Sequence, residues 1–481
     1  MAALRFPRLR CFAATLGMTS LQWGGRFSAA PDAALLAFGS SLEDDLVLAP
    51  FDVRTSQAHV DALAGGKIVD APTAASLHDA LKTIAAEIDD GRFVAYAQGS
   101  GAEDVHGAID ARVRELQPEA GALLHAGRSR NDQVATTLAL YAHDRARHGA
   151  ERAKSIARHL LARASEELTA GTLLAATTHM QPAQPVLLAF WLQAAAEPFV
   201  RAAHRFASAA AAAKQWCPLG SGAVSGSTLP LDRDAACKRL GFNAPSRNAM
   251  DAIGTRDAVL DVAQACVRAL TDASRVSAEI VLWATPGFGY VRLGDASSTG
   301  SSLMPQKRNP DIFELVRGFA SEAAGLYFGA VTSTIGMPLS YHRDLQETKR
   351  LAIATCERAL GALDAFERAL RDTTFVRNAM QARAGTGYTI ATDLADALIA
   401  GGVTAREAHA LVGALVRAAE EAGRALDERD LVALANEAGL KELKAPLTPA
   451  QSIAAKMTSG STSPQAVRAG LASLAAELDT L

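Results

Sequence analysis

Five long segments of this chain repeat their apolar residues at the spacing of an α-helix. Several are much longer than the average helix of about 11 to 12 residues, and runs with the alternation of a β-strand are scarce. Long helices in succession bury their apolar stripes most simply by packing side by side. The sequence therefore predicts an all-α fold with a central long-helix bundle. The five segments are 132–168, 185–214, 251–284, 310–332 and 344–370.

Stretches rich in glycine, proline and small polar residues separate these segments and are expected at the ends of the bundle. Shorter helical patterns come before and after the five segments. We therefore predict three mainly helical domains, with the bundle in the middle one. The predicted domains are 18–125, 126–375 and 376–481.

The composition excludes several classes of partner. Hydrophobic residues make up 49% of the 481 residues, which is enough to bury a large core. The 48 Lys and Arg residues nearly balance the 51 Asp and Glu residues, so the basic excess typical of nucleic-acid-binding proteins is missing. The five cysteines are scattered and form no Cys-x-x-Cys pair, and no apolar run is as long as a membrane span of about 18 residues. These features predict a protein of the reducing cytosol, without nucleic-acid or membrane partners.

The first 17 residues are rich in arginine and contain no acidic residue, a composition that transit peptides share. Met18 begins the stretch MTSLQWGGRF, so residues 1–17 are instead expected to be a disordered or mis-started extension. They lie outside the three predicted domains.

The stretch STGSSLMPQKRNPDIFE, 298–314, combines small, cationic and amide residues directly before a helical pattern. Asn309 followed by Pro310 is typical of a helix N-cap and first helical residue. Such a cap does not require Ser301 or Lys307. A glycine- and serine-rich loop that leads into a helix offers backbone N–H groups and a cation to an anion. The stretch therefore predicts a carboxylate site, with Lys307 as its cation.

Three other polar stretches lie between the helical segments. His179 in TTHMQPAQP stands in a proline-fixed turn, which suits either proton transfer near neutral pH or a structural role. In GRSRNDQ two guanidinium groups and an amide follow Gly127, which suits either bidentate carboxylate binding or a solvated surface. SYHRDLQETK, from Ser340, is by itself typical of a polar helix start. The residues alone leave these alternatives open.

Common motifs of other enzyme classes are absent from the sequence. It contains no Gly-x-Gly-x-x-Gly after a strand, no P-loop, no His-Glu-x-x-His and no Gly-x-Ser-x-Gly. The usual signals for dinucleotide binding, phosphate binding, zinc proteolysis and serine hydrolysis are therefore missing.

The segment GSSLMPQKRNP, 300–310, fits the pattern Gly-Ser-Ser-x-Met-Pro-x-Lys-x-Asn-Pro. It resembles the signature of the fumarase, aspartase and argininosuccinate lyase superfamily. Further stretches resemble the argininosuccinate lyase branch, which also contains the delta-crystallins, in order and spacing, over about residues 20–475. They are WGGRFS at 23, EDVH at 103, GRSRNDQV at 127, THMQPAQP at 178, PLGSGA at 218, MPQKRNPD at 304 and YHRDLQE at 341.

The resemblance implies three mainly helical domains whose central bundles form a twenty-helix core in a homotetramer, with each active site shared by three subunits. It implies a carbon–nitrogen lyase that reversibly cleaves a small-molecule substrate, argininosuccinate, to arginine and fumarate in arginine biosynthesis. It implies no metal and no cofactor, and a cytoplasmic location.

The resemblance also implies roles for residues at matching positions. Ser301 would remove a proton from carbon, while Lys307 and Asn309 would hold the adjacent carboxylate. His179, oriented by Glu314, would serve the leaving guanidinium, and the division of base and acid between Ser301 and His179 stays open. The substrate-binding positions are Ser41, His106, Ser129, Arg130, Asn131, Thr178, Tyr341, Gln346 and Lys349.

The chain departs from the family pattern at Ala126, where threonine is usual, and at Gly254 and Thr255, where serine and aspartate are common. Two alternatives share the loop and the fold. One is another enzyme of the superfamily, such as adenylosuccinate lyase or a carboxymuconate cycloisomerase, against which Gln306 and GRSRNDQ argue. The other is a non-catalytic crystallin-like protein, which would not require the full set of implied catalytic residues.

Overall fold

The computed structural model describes residues 32–481. The WGGRFS motif and the extension expected over 1–17 lie outside the described residues. The described chain is built of α-helices with a few short strands, which confirms the all-α prediction. None of its helices combines the length and the apolar character that a membrane crossing requires.

Mostly short helices precede the first long one. Asp32 and Asp70 cap two of them by accepting hydrogen bonds from first-turn N–H groups, as aspartate commonly does at an N-cap. The elements are α1 (Ala33–Gly39), α2 (Leu42–Asp45), a 3₁₀ turn (Leu46–Leu48), α3 (Ala49–Gly65), α4 (Ala71–Asp89), α5 (Arg92–Gly99), α6 (Val105–Leu116) and α7 (Pro118–Gly121).

The middle of the chain contains five long helices with short strands and turns between them. In chain order the elements are α8 (Arg130–Ala170), β1 (Leu173–Thr178), β2 (Gln181–Leu187), α9 (Leu188–Ala213), β3 (Trp216–Cys217), α10 (Arg233–Leu240), β4 (Ala244–Pro245), α11 (Ala249–Gly254), α12 (Asp257–Trp283), β5 (Val291–Leu293), a 3₁₀ turn (Asp295–Ser297), α13 (Asp311–Thr332), α14 (Leu345–Arg371) and β6 (Thr373–Phe375). β1 pairs antiparallel with β2, β3 parallel with β4, and β5 antiparallel with β6.

Shorter helices complete the chain. Thr448 and Gln451 form a reciprocal capping box at the start of one of them, a motif that satisfies free N–H groups on both sides of the helix start. The helices are α15 (Arg377–Arg383), α16 (Ala391–Ala400), α17 (Ala405–Glu421), α18 (Glu428–Glu437), α19 (Pro449–Ala455) and α20 (Pro464–Asp479).

The long helices confirm the five helical segments, with two differences. The helix expected from 185 begins at Leu188, because the residues before it pair with β1 as a strand. The helix expected over 251–284 is interrupted at Thr255 and Arg256, so that it forms α11 and α12. A hydrophobic pattern of helical period continues through such a break, because a short interruption does not change which residues are apolar.

Contacts divide the described chain into two compact units. The first unit contains 32–146, 208–264 and 325–356, and the second contains 147–207, 265–324 and 357–481. Each long helix contributes one segment to each unit. The three-domain division stays a prediction.

In the second unit the long helices pack around α14. The Phe366 ring stacks on Phe199 of α9 with centroids 5.8 Å apart and meets the edge of Phe313 of α13 at 6.2 Å. The Arg152 guanidinium of α8 binds the Glu367 carboxylate at 2.5 Å. The three rings are fully buried, and burial of each stabilises the fold by about 1.5 to 3 kcal/mol.

In the first unit α3 lies against α4, α6 and α10. Leu63 of α3 and Leu77 of α4 are fully buried. The Phe51 ring meets the edge of Tyr141 on α8 with centroids 5.8 Å apart. One face of α3 is nonetheless polar and buried, and this face leads to the candidate site.

A substitution at Gly149 can test how closely α8 and α9 pack in the second unit. A Cβ atom at this position would lie 2.5 Å from the ring of the buried Phe206. Gly149→Ala is therefore expected to lower the free energy of unfolding by about 1 to 3 kcal/mol, measured by chemical or thermal unfolding. Gly361→Ala on α14, where a Cβ meets no atom within 4 Å, is the control and should be neutral or stabilising. Equal effects of the two changes would contradict this packing.

Candidate functional site

The signature loop, residues 299–309 of the second unit, is closed by hydrogen bonds between its first and last residues. The Asn309 N–H donates to the Thr299 carbonyl at 2.9 Å, and the Thr299 N–H donates to the Asn309 carbonyl at 3.3 Å. The Asn309 amide also donates to the Gly300 carbonyl at 3.3 Å. Because α13 begins at Asp311 and the Pro310 carbonyl accepts the first helical bonds, the prediction that Asn309 is the N-cap is wrong. Asn309 holds the loop together instead.

The Ser301 hydroxyl oxygen lies inside this loop and accepts two backbone hydrogen bonds. The N–H of Leu303 donates at 3.3 Å and the N–H of Met304 at 3.0 Å. Such donors favour negative charge on the oxygen. The loop therefore supplies the backbone donors that the resemblance requires for a serine acting as a base.

A groove of about 950 Å³ runs beside the end of the loop. Lys307, Asn309 and Glu314 line it together with residues of 281–293. The Arg308 guanidinium anchors this end of the loop by donating to the Leu293 carbonyl at 3.0 Å. Three of the implied catalytic residues thus border one concave surface that carries a lysine.

His179 occupies the tip of the β1–β2 hairpin. Both His179 and Met180 have positive φ values, 53° and 62°, as a two-residue type I′ turn requires. Residues other than glycine rarely adopt this conformation, so the surrounding hairpin must hold it. The Leu187 N–H donates to the Thr462 hydroxyl at 2.9 Å and ties the hairpin to the C-terminal segment. His179 and the neighbouring Thr178 are exposed.

In the first unit, two implied substrate-binding residues share the carboxylate of Asp45. The Ser41 hydroxyl donates to one oxygen at 2.6 Å, and the Lys349 ammonium lies 2.5 Å from the other. Asp45 is fully buried and Lys349 nearly so. The Gln346 amide donates to the Gly39 carbonyl at 3.1 Å, so the start of α14 lies against the 39–41 segment.

Asp104 of the first unit forms an ion pair with Arg130. The Arg130 guanidinium lies 3.2 Å from its carboxylate. Burial by itself would raise the pKa of Asp104, but the charges of Arg130, His106 and Lys349 and the Gly107 N–H outweigh burial and lower this pKa. Arg130 is therefore the ion-pair partner of Asp104, whereas Lys349 pairs with Asp45 and the His106 ring bonds to Asp52.

Asp52 of α3 is a second buried centre. It accepts from the His106 ring at 2.8 Å, the Gln133 amide at 2.9 Å and the Thr137 hydroxyl at 3.0 Å. Burial opposes its ionisation, yet the His106 charge and hydrogen bond, followed by Arg128, hold the pKa of Asp52 well below its usual range. His106 is fully buried, so it orients this network rather than facing an open surface.

The start of α8 is held by Asp132. Its carboxylate accepts from the N–H groups of Ser129, Gly220 and Gly222, each at 2.9 Å. Burial raises its pKa to about 6, against the opposing effect of these donors. The Asn131 amide donates to the Ala223 carbonyl at 3.0 Å. The PLGSGA motif thus positions Ser129 and Asn131.

The carboxylates that organise the first unit were missed by the sequence analysis. One signal was available on α3, where Asp52, Thr55, Ser56 and His59 are spaced along one helical face and are all buried. Asp45 and Asp132 carried no comparable signal, because their partners lie far away in the sequence.

The implied site residues divide between the two units. The first unit holds Ser41, His106, Ser129, Arg130, Asn131, Tyr341, Gln346 and Lys349, and the second holds Thr178, His179, Ser301, Lys307, Asn309 and Glu314. Within residues 32–481 of one chain, no hydrogen bond or ion pair joins His179 to Glu314. The implied pairing of these two residues stays a prediction.

The sequence matches two known families. Residues 25–325 match the family described as Lyase, and residues 388–454 match the one described as Argininosuccinate lyase C-terminal. The argininosuccinate lyase of Nitratidesulfovibrio vulgaris (strain DSM 19637 / Miyazaki F) is 40% identical, over 95% of this chain and 98% of the relative. That of Rhodococcus jostii (strain RHA1) is 38% identical, over 92% and 93%.

Solved structures share the fold. EDDS lyase in complex with formate superposes with a TM-score of 0.76 at 25% identity, over 90% of this chain and 86% of that one. The 3-carboxy-cis,cis-muconate lactonizing enzyme from Pseudomonas putida gives 0.71 at 20% identity, over 90% and 94%. The class II fumarase from Schistosoma mansoni gives 0.65 at 18%, over 84% and 90%. The last two likenesses concern the fold alone.

Asp52→Asn tests the buried network of the first unit. The change removes the charge that faces His106 and Arg128, so the free energy of unfolding at neutral pH should fall by about 3 kcal/mol, measured by urea unfolding. Because the folded-state pKa of Asp52 lies below its ordinary 3.8, the unfolded chain binds a proton more readily as pH falls below about 4. Wild-type stability should therefore decline in that range, and the variant should decline less.

Asp79→Asn on the exposed side of α4 is the control for this prediction, since it also removes one carboxylate. It should change neither the stability at neutral pH nor its pH dependence. An Asp52→Asn variant as stable as the control would remove Asp52 from its assigned role.

Proposed function

Because the chain belongs to the argininosuccinate lyase family, we propose that it cleaves argininosuccinate to arginine and fumarate. The observation that carries this proposal is the relative 40% identical over 95% of the chain. The geometry of the signature loop supports it, because the Ser301 oxygen accepts two backbone N–H bonds and Lys307 of the same loop borders a groove. The implied setting is arginine biosynthesis in the cytoplasm, without metal or cofactor.

The reaction is an anti elimination across a carbon–nitrogen bond. A base removes a proton from the succinyl carbon next to a carboxylate, and the electron pair left behind spreads into that carboxylate as a dianion. The pair then forms the double bond of fumarate while the carbon–nitrogen bond breaks, and the guanidinium nitrogen of arginine takes up a proton. The dianion is the energetic difficulty, and positioned donors stabilise it by a few kcal/mol each.

Ser301 is the proposed base, and its two backbone donors stabilise the oxygen once it has lost its proton. Lys307 and Asn309 are proposed to hold the carboxylate on which charge develops. The supporting observation is that both border the same groove. The pairing of Thr299 with Asn309 closes the loop and restricts how far its two ends can move apart.

His179 is proposed to serve the leaving guanidinium, with Glu314 as its partner. The exposed position of His179 at a hairpin tip suits a residue that completes the site of another subunit. The homotetramer is part of the proposal for the same reason. Phe328, Ile335 and Leu339 of the first unit are 70%, 75% and 83% exposed, which is typical of an apolar surface covered by association.

The residues of the first unit are proposed to bind the substrate. Arg130, Gln346 and Lys349 offer N–H donors, and Ser41, Ser129, Asn131 and Tyr341 offer hydroxyl and amide groups. The buried carboxylates described above hold several of these side chains in place. His106 contributes through Asp52.

Purified protein mixed with argininosuccinate is expected to release fumarate, seen as rising ultraviolet absorbance, without added metal or nucleotide. Adenylosuccinate is the comparison substrate and should give no fumarate. Cleavage of adenylosuccinate but not of argininosuccinate would assign the chain to another branch, and cleavage of neither would favour a crystallin-like role.

Ser301→Ala is expected to lower kcat by at least about 100-fold, because the positioned base is lost. The neighbouring exposed Ser302→Ala is the matched control and should keep near wild-type turnover. Circular dichroism and gel filtration should show the same fold and assembly for both variants. Near-normal turnover of the Ser301 variant would remove this residue from the mechanism.

A further inference from the structure

Arg256 of the first unit lies in the break between α11 and α12 and is 5% exposed. One terminal nitrogen of its guanidinium donates to the Ile253 carbonyl at 3.1 Å and to the Thr255 carbonyl at 2.7 Å. Its Nε is buried and has no acceptor among residues 32–481. An unused buried donor is costly, and several other arginines of the described chain share it at Nε, so the argument for Arg256 depends on its lack of an ion-pair partner.

The charge of Arg256 is also unpaired within the described residues. Lys349 and Arg130 of the same unit have carboxylate partners, Asp45 and Asp104, but no carboxylate lies within ion-pair distance of Arg256 in 32–481. Burial therefore lowers the pKa of Arg256 to about 10, and only the phenol of Tyr341 acts on it in the opposite direction. At neutral pH the guanidinium is charged.

Carbonyl oxygens accept hydrogen bonds from Arg256, but no carboxylate of the described residues pairs with it, and the helix that follows adds positive potential. The guanidinium precedes the N-terminus of the 27-residue helix α12, where the helix dipole is positive. Asp257, the next residue, is exposed and forms no ion pair with Arg256 in the described chain. Removing an isolated charge from water costs several kcal/mol, so this position favours an anion that is not part of the described chain.

The backbone just before Arg256 lies against the loop that carries Tyr341. Gly254 packs onto the backbone of Ser340 so closely that a Cβ at 254 would lie 2.7 Å from the Ser340 carbonyl oxygen. Ser340 itself has a φ of 84°, a conformation that favours glycine and that the neighbouring contacts must stabilise. The departure from the family pattern at Gly254 thus permits this close approach. It joins Arg256 to a loop already proposed to bind substrate.

We propose that Arg256 is an anion-binding residue that pairs with a carboxylate of the substrate. The inference rests on the proposed function and deepens it. Argininosuccinate carries two carboxylates on its succinyl part and one on its arginine part, and Lys307 and Asn309 account for one of them. Thr255 stands where an aspartate is common in the family pattern, so the residue before Arg256 is not an acid that would compete for its guanidinium.

Binding of the two products separately tests the proposal, because neither product reacts alone. Isothermal titration calorimetry would measure the Kd of fumarate and of L-arginine for wild type, Arg256→Gln and Arg256→Lys, all as full-length protein. Arg256→Gln should weaken binding of the product whose carboxylate it holds by about 30-fold or more, because a buried charged partner is lost. Arg256→Lys should recover part of this loss, and the KM for argininosuccinate should rise in the same order.

Arg247→Gln is the matched control. Arg247 is an exposed arginine of the same unit that stacks on Trp216, so its replacement removes the same charge without touching the proposed site. Both products should bind to this variant as they bind to wild type. If they bind to a folded Arg256→Gln protein equally well, the proposal is overturned and Arg256 only caps the end of α11.

Two further readouts separate the remaining explanations. Gel filtration with light scattering reports assembly, and a change of oligomeric state with product binding unchanged would overturn the proposal by assigning the anion to a second copy of the chain. If Arg256→Gln does not fold, Arg256→Lys decides alone: weaker product binding at an unchanged Tm supports the proposal, and unchanged binding overturns it. Failure of wild type to cleave argininosuccinate would refute the proposed function, whereas the product titrations still report on Arg256.

Discussion

Three aspartate carboxylates are fully buried in the first unit, and each is stable there only because donors or cations surround it. Ser41 and Lys349 contact the carboxylate of Asp45. Three side chains donate to Asp52, those of His106, Gln133 and Thr137. Asp132 accepts from three backbone N–H groups. Since a buried charge left without partners would cost several kcal/mol, these contacts restrict where the surrounding side chains lie. The proposed substrate-binding residues take their positions from this requirement.

In the second unit, backbone hydrogen bonds rather than buried carboxylates hold the proposed catalytic residues in place. A pair of backbone hydrogen bonds closes the signature loop, two further N–H groups face the Ser301 oxygen, and a tight hairpin presents His179. Backbone donors suit this purpose because they carry no charge of their own and are fixed by the fold of the loop. The long helix α13 that follows provides a rigid base for Lys307 and Asn309.

Particular residues show why prediction from sequence succeeded in some places and failed in others. The periodic segments 132–168 and 344–370 gave helix ends within two residues, because helical periodicity is a local property of the chain. The strand β2 and the role of Asn309 were missed, since both depend on pairing with another segment, β1 or Thr299. The carboxylate partners of Ser41, His106 and Ser129 were missed for the same reason.

The sequence by itself determined the helical architecture, through apolar residues at a period of 3.6, and the family, through a signature loop and a series of motifs in a characteristic order. Tertiary structure alone decided which carboxylate holds which donor, and that no carboxylate of the described residues pairs with Arg256. The physical reason is distance along the chain: Asp45 and Lys349 are about 300 residues apart, and only packing decides whether two such charges meet.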